Sequence, residues 1–179
     1  MAIAAPPALR AIHTHTVVAL LEDRPGVLNR VVSLFRRRGF NIETLTVGHT
    51  DLPDISRLTV VVEGDDRIVE QVVKQLYKVI EVLKVSDVTA DRVVTRELAL
   101  IKVATGGTTR SEIMQICDIF RAKIVDVASD SLMIEVTGTQ DKVESLVQLV
   151  RRFGIKELVR TGRVAMVRGS QGVTRVDDE

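Results

Sequence analysis

The stretch Leu21-Glu22-Asp23-Arg24-Pro25-Gly26-Val27-Leu28 separates two runs of different period, and that change decides how the chain folds. Before it, Thr14 to Leu21 is short, β-branched and apolar, which predicts a strand. After it, Leu28, Val31, Val32 and Phe35 recur at helical spacing and predict one apolar helix face. Pro25 suits a helix start, where its missing N–H costs nothing. Arg36 to Arg38 cover the opposite face, and Gly39 is placed to end the helix in the left-handed conformation.

Working outward, Asn41 to Gly48 and Ile55 to Val62 read as strands, joined through the turn residues of Thr50 to Asp54. In the first of them Leu45 and Val47 share one side, and Thr44 and Thr46 the other. Gly64-Asp65-Asp66 provides an acidic helix start, followed by a stripe at Val69, Val72, Val73 and Leu76. Val79 to Val88 reads as the last strand of this set. The order is β-α-β-β-α-β, the split βαβ or ferredoxin-like arrangement.

The order then repeats. Glu97 to Ala104 is a strand, Thr105 to Thr109 a loop, and Ile113, Ile116, Cys117 and Phe120 a helical stripe. Lys123 to Ala128 and Leu132 to Thr137 are strands; Val143, Leu146, Val147 and Val150 form a second stripe. Ile155 to Val159 begins the last strand, with Val164 to Val167 as its extension. The expected fold class is α+β, with two ferredoxin-like βαββαβ domains at 13–91 and 92–168, and flexible tails at 1–12 and 169–179.

Composition narrows the function. Net charge is +1 and aromatic residues make up 3% of the chain, which argues against a nucleic-acid partner. No apolar run approaches a membrane span, and the N-terminal residues lack a signal-peptide pattern. A single cysteine rules out a disulfide within the chain and points to the cytoplasm.

Few residues suggest chemistry. His13 and His15 would share a strand face, but nothing else completes a metal site. Cys117 lies in an apolar stripe and reads as core. The Thr105-Gly106-Gly107-Thr108-Thr109 loop can hold an anion or simply turn the chain; it lacks a P-loop ending. Arg151, Arg152, Arg160 and Arg163 can meet a partner or face solvent, with solvent preferred. No acid, base or nucleophile set stands out, so no catalytic residue is assigned.

The loop at residues 21–28 has more to offer. Free N–H groups at a helix N-terminus can bind an α-carboxylate. Gly26 allows close approach to the backbone, Asp23 can pair with an α-ammonium, and Val27 and Leu28 offer apolar surface. Together these describe a site for a small branched amino acid, although a Pro-Gly helix start also has a purely structural use.

That loop, followed by Arg38-Gly39-Phe40-Asn41-Ile42-Glu43-Thr44-Leu45-Thr46-Val47, resembles the ACT domain of the acetolactate synthase (acetohydroxyacid synthase) small regulatory subunit. Ser56-Arg57-Leu58-Thr59, Glu70 to Val79, Thr95 to Leu98 and Ile119-Phe120-Arg121 extend the resemblance to most of the chain. It implies a large catalytic subunit as partner, carrying thiamine diphosphate, magnesium and FAD, and no cofactor in this chain. It also implies activation of that subunit, feedback inhibition usually by valine, and a homodimer formed by ACT domains side by side. The implied effector site comprises Asp23, Pro25, Gly26, Val27 and Leu28 of one protomer, with Asn41 and Ile42 reaching in from the other. Where some members have Asn in the loop this chain has Asp23, which when ionised accepts hydrogen bonds but donates none. A free-standing ACT-type sensor acting on another enzyme or a transporter is the alternative reading.

Overall fold

The structure, a computed structural model, describes residues 13–169. The tails expected at 1–12 and 169–179 therefore lie outside the described residues, save Gly169. The described chain divides into two compact units, one ending at Arg92 and the other spanning Val93–Arg168. Each carries the βαββαβ order, so the fold is α+β as expected.

In the first unit the elements are β1 (His13–Glu22), α1 (Val27–Arg38), β2 (Ile42–His49), β3 (Ile55–Gly64), α2 (Asp66–Leu76) and β4 (Val82–Asp87). The sheet order is β2-β3-β1-β4, all neighbours antiparallel, with β2 and β4 at the edges. Val17, Ala19 and Leu21 of β1 and Leu58, Val60 and Val62 of β3 meet the two helices in one core. A bulge between Ile42 and Thr44 lets both Ile42 and Leu45 of β2 pack on that core.

The helix ends follow local chemistry. The Asp65 carboxylate accepts from the N–H groups of Arg67 (3.1 Å) and Ile68 (3.0 Å), capping α2. Gly39, at φ 68°, ends α1. The buried stripe of α1 is Val27, Val31, Leu34 and Phe35, and here the sequence reading is corrected. Leu28 and Val32, assigned to the core face, are each 41% exposed. Both sets have helical spacing; the entry turn at Gly26 selects which one faces the sheet. The strand expected from Val79 also begins later, because Lys78 and Val79 donate back to Gln75 and Leu76 in a continuing turn.

Tyr77, just past α2, seals one edge of the sheet. Its hydroxyl donates to the Val85 carbonyl (2.9 Å) and accepts from the Val85 N–H (3.2 Å). The outward backbone groups at the middle of β4 are thus occupied, which blunts that edge against strand addition.

The second unit contains β5 (Val93–Ala104), α3 (Thr109–Phe120), β6 (Lys123–Val127), β7 (Ser131–Gly138), α4 (Gln140–Val150), a 3₁₀ turn at Arg151–Phe153, β8 (Ile155–Arg160) and β9 (Val164–Val167). The strand order is β6-β7-β5-β8, and β9 pairs with the first residues of β5. The strand expected from Glu97 begins earlier: Val93 to Arg96 are strand residues matched to Val167 through Val164. Ala99, Ile101 and Val103 alternate into a core with α3 and α4.

Three of the four basic residues assigned to solvent are bonded within the chain instead. Glu97 is 6% exposed and ion-paired with Arg160, which also reaches Glu144 at 3.1 Å. Hydrogen bonds from Gln148 and Arg160 hold the Glu144 carboxyl below its usual range. Arg152 pairs with Glu112 and lies 4.8 Å from the Phe153 ring. Arg163 donates to Gln140.

Replacing Tyr77 with Phe removes both bonds to Val85 and keeps the ring. It should lower the unfolding free energy by about 1 kcal/mol, read as a shift of the urea midpoint with little change in slope.

Candidate functional site

The β1 end of the loop between β1 and α1 is held by backbone bonds. Glu22 donates to the Glu81 carbonyl (2.9 Å) and Asp23 to the Asp54 carbonyl (2.8 Å). After them Arg24 to Val27 form a turn closed by Val27 N–H on the Arg24 carbonyl at 3.3 Å. Gly26 has φ 89° and ψ −13°, the values of the third residue of a type II turn, and Pro25 occupies the favoured second position. The helix begins after this turn, so Pro25 precedes the cap rather than opening the helix.

Gly26 is also the N-cap of α1, and no side chain caps that end. The first helical bond runs from Arg30 N–H to the Gly26 carbonyl at 3.1 Å. The N–H groups of Leu28 and Asn29 have no acceptor among the described residues, so they remain available at the positive end of the helix dipole. A Cβ built on Gly26 would meet nothing within 4 Å, so the space above it is open.

Asp23 supplies the negative charge. Its Oδ2 lies 2.9 Å from Nδ1 of His49, at the end of β2; the side chains are 42% and 84% exposed. The sequence reading gave His49 no role. Its partner comes from the register: His49 pairs with Ser56, which pairs with Leu21, and so His49 borders the loop. Arg24 turns back to Glu22 at 3.2 Å.

One assigned contact is corrected. Val27 is 4% exposed and belongs to the core, so its side chain offers no surface to a ligand. Leu28 faces outward and is the apolar surface of the loop, beside exposed Pro25.

Asn41 and Ile42 lie elsewhere. Ile42 pairs with Val62 and through it with His15, at the opposite end of the sheet from Leu21 and the loop. The six steps along β3 from Ser56 to Val62 span about 20 Å. Asn41 is exposed, and its Nδ2 donates to Glu63 Oε2 at 3.4 Å; Ile42 packs partly on the core. A single chain therefore does not bring the two halves of the expected site together.

Among the described residues no group of three or more His, Cys, Asp or Glu is arranged to hold a metal. His15 is buried with Nε2 3.2 Å from the Gly64 carbonyl, while His13 is exposed. Cys117 is buried, and that burial raises its thiol pKa, with the nearby Asp118 adding to the effect. The loop at residues 105–109 closes on itself, Gly106 N–H donating to Thr109 Oγ1 at 2.8 Å.

With this geometry in hand, the likenesses to known proteins are informative. Residues 18–84 match a family model described as the AHAS small subunit-like ACT domain, and residues 96–169 one described as the small subunit of acetolactate synthase. A probable acetolactate synthase small subunit of Archaeoglobus fulgidus is 59% identical over 157 residues, covering 88% of this chain and 98% of the relative. The acetolactate synthase small subunit of Mycolicibacterium smegmatis is 50% identical over 160 residues, covering 89% and 94%. The crystal structure of the acetolactate synthase small subunit from Thermotoga maritima superposes with a TM-score of 0.82 at 43% identity, covering 89% of this chain and 99% of that one.

The Gly26 conformation makes a stability prediction. Gly26→Ala introduces no clash but forces an L-residue to positive φ, and should cost about 1 kcal/mol. Gly48→Ala, with equally open space and no positive φ, should leave the denaturation midpoint within experimental error.

Proposed function

The chain belongs to the acetolactate synthase small-subunit family, and from that premise we propose that it is the regulatory subunit of a cytoplasmic acetolactate synthase. In this reading it raises the activity of a separate catalytic subunit. It also confers feedback inhibition by valine, or a related branched amino acid, held between two ACT domains. Thiamine diphosphate, magnesium and FAD belong to the catalytic partner, and this chain contributes no reacting group.

One observation carries the shared site: Asp23 and Gly26 lie at one end of β2 and Asn41 and Ile42 at the other. A two-fold axis near Leu45 pairing β2 with a second β2 would bring His49 opposite Asn41 of the partner subunit. That puts the partner's Asn41 beside the Asp23–His49 pair. The edges support this choice. Tyr77 occupies the backbone groups of β4 at Val85, whereas β2 is the other edge of the same sheet. The crossover from β1 to β2 carries α1 over β3, and its exposed Leu28 and Val32, one turn apart, form an apolar pair for a second copy to cover.

The chemistry of recognition follows. The α-carboxylate accepts from the Leu28 and Asn29 N–H groups. The α-ammonium pairs with Asp23, displacing or sharing its contact with His49. The branched side chain lies against Leu28 and the partner's Ile42. Binding across the axis favours one dimer arrangement over others, and the catalytic subunit responds to that shift only as far as the effector's differential affinity allows.

Reconstitution with a catalytic subunit from the same organism tests this. Adding the wild-type chain should raise acetolactate formation and make it sensitive to millimolar valine. Gly26→Asp, which puts bulk and charge into the open space, should keep activation and lose valine sensitivity. Unchanged activity and valine response on adding the wild-type chain would contradict the reading. Val32→Glu should shift the chain toward monomer in sedimentation velocity and weaken the valine response in parallel.

A further inference from the structure

We infer that the cleft between the C-terminal ends of α1 and α2 is a binding site for a small phosphate-bearing anion. The cleft has a volume of about 360 Å³ and is lined by Leu34, Arg37, Arg38, Gln75, Lys78 and Val79. This lies within the range of small-molecule sites. It is separate from the effector loop, because the 12 residues of α1 stand between them and span about 18 Å.

Gln75 is the first observation. The residue is 7% exposed, yet its side-chain amide has no hydrogen-bond partner among the described residues. The amide opens onto the cleft, so it can donate to an oxygen bound there. Charge is the second. Among the described residues Arg37, Arg38 and Lys78 form no ion pair. The acidic residues of the same elements are engaged elsewhere: Glu70 with Lys74, Glu81 with Arg30, and Asp66 at the far end of α2, 4.0 Å from His15.

The amount of charge selects the ligand. Two helix C-termini contribute about half a negative charge each. They offset roughly one of the three cations and leave about two positive charges. A phosphate monoester carries about −1.5 to −2 near neutral pH. Planar guanidinium forks and a neutral amide donor suit its oxygens better than a single carboxylate. The cleft is larger than a phosphate group, and Leu34 and Val79 offer an apolar wall for a small organic body.

Calorimetric titration of the full chain at constant ionic strength distinguishes the sources. Inorganic phosphate and glycerol 3-phosphate are the probes, and sodium chloride is the control. Saturable binding of either probe, weakened tenfold or more in Arg38→Gln/Lys78→Gln, is expected. Tighter binding of glycerol 3-phosphate would identify an ester as the ligand; equal binding would identify the free anion. Gln75→Leu should weaken binding severalfold with little change in melting temperature. The surface double variant keeps the test valid should Gln75→Leu fold poorly. No saturable binding above the chloride control, or binding that all these variants leave intact, would overturn the inference.

Discussion

Ten residues of β1 lie against ten of β3 in unbroken antiparallel register, His13 opposite Gly64 through Glu22 opposite Ile55. Most of what matters in the first unit follows from that pairing. β3 carries the register across to β2, and so the loop that ends β1 adjoins the end of β2 while the start of β2 sits about 20 Å away. A site that needs both regions cannot close within one copy of the chain. The sheet thus turns the expected effector-site residues into a proposal about assembly.

The two sheet edges have different chemistry, and this gives the proposed assembly a direction. At β4 the Tyr77 hydroxyl occupies both backbone groups of Val85. On the side of β2, α1 crosses over β3 and leaves Leu28 and Val32 exposed. Covering apolar surface and pairing an open edge are the usual drives for a symmetric interface. In the proposed function, an effector seated across such an interface would change the balance of dimer arrangements without touching a catalytic group.

Much of this was legible in the sequence because it rests on local rules. Alternation marked the strands, Asp65 marked a helix start, and Gly39 marked the place where α1 ends at positive φ. The errors came where two local solutions compete or a partner is distant. On α1 the sets 27, 31, 34, 35 and 28, 31, 32, 35 are both helical stripes, and only the type II turn at Gly26 decides between them. His49 reached Asp23, and Arg160 reached Glu97, through strand register that no short spacing encodes. Tyr77 carried no motif at all; its role depends on the turn that brings β4 back beside α2. Val27 was misassigned to a ligand for the same reason as Leu28 was misassigned to the core.

The central claim is that each effector site is built from two copies of the chain, and mixing two defective copies tests it most directly. Gly26→Asp damages the loop half and Asn41→Ala the strand half, so each homodimer should bind no valine in calorimetry. When the two are refolded together, half of the dimers are mixed and each has one site with both halves intact. The account predicts that valine binding returns at about a quarter of the wild-type site number. A mixture that binds no more valine than either variant alone would contradict it.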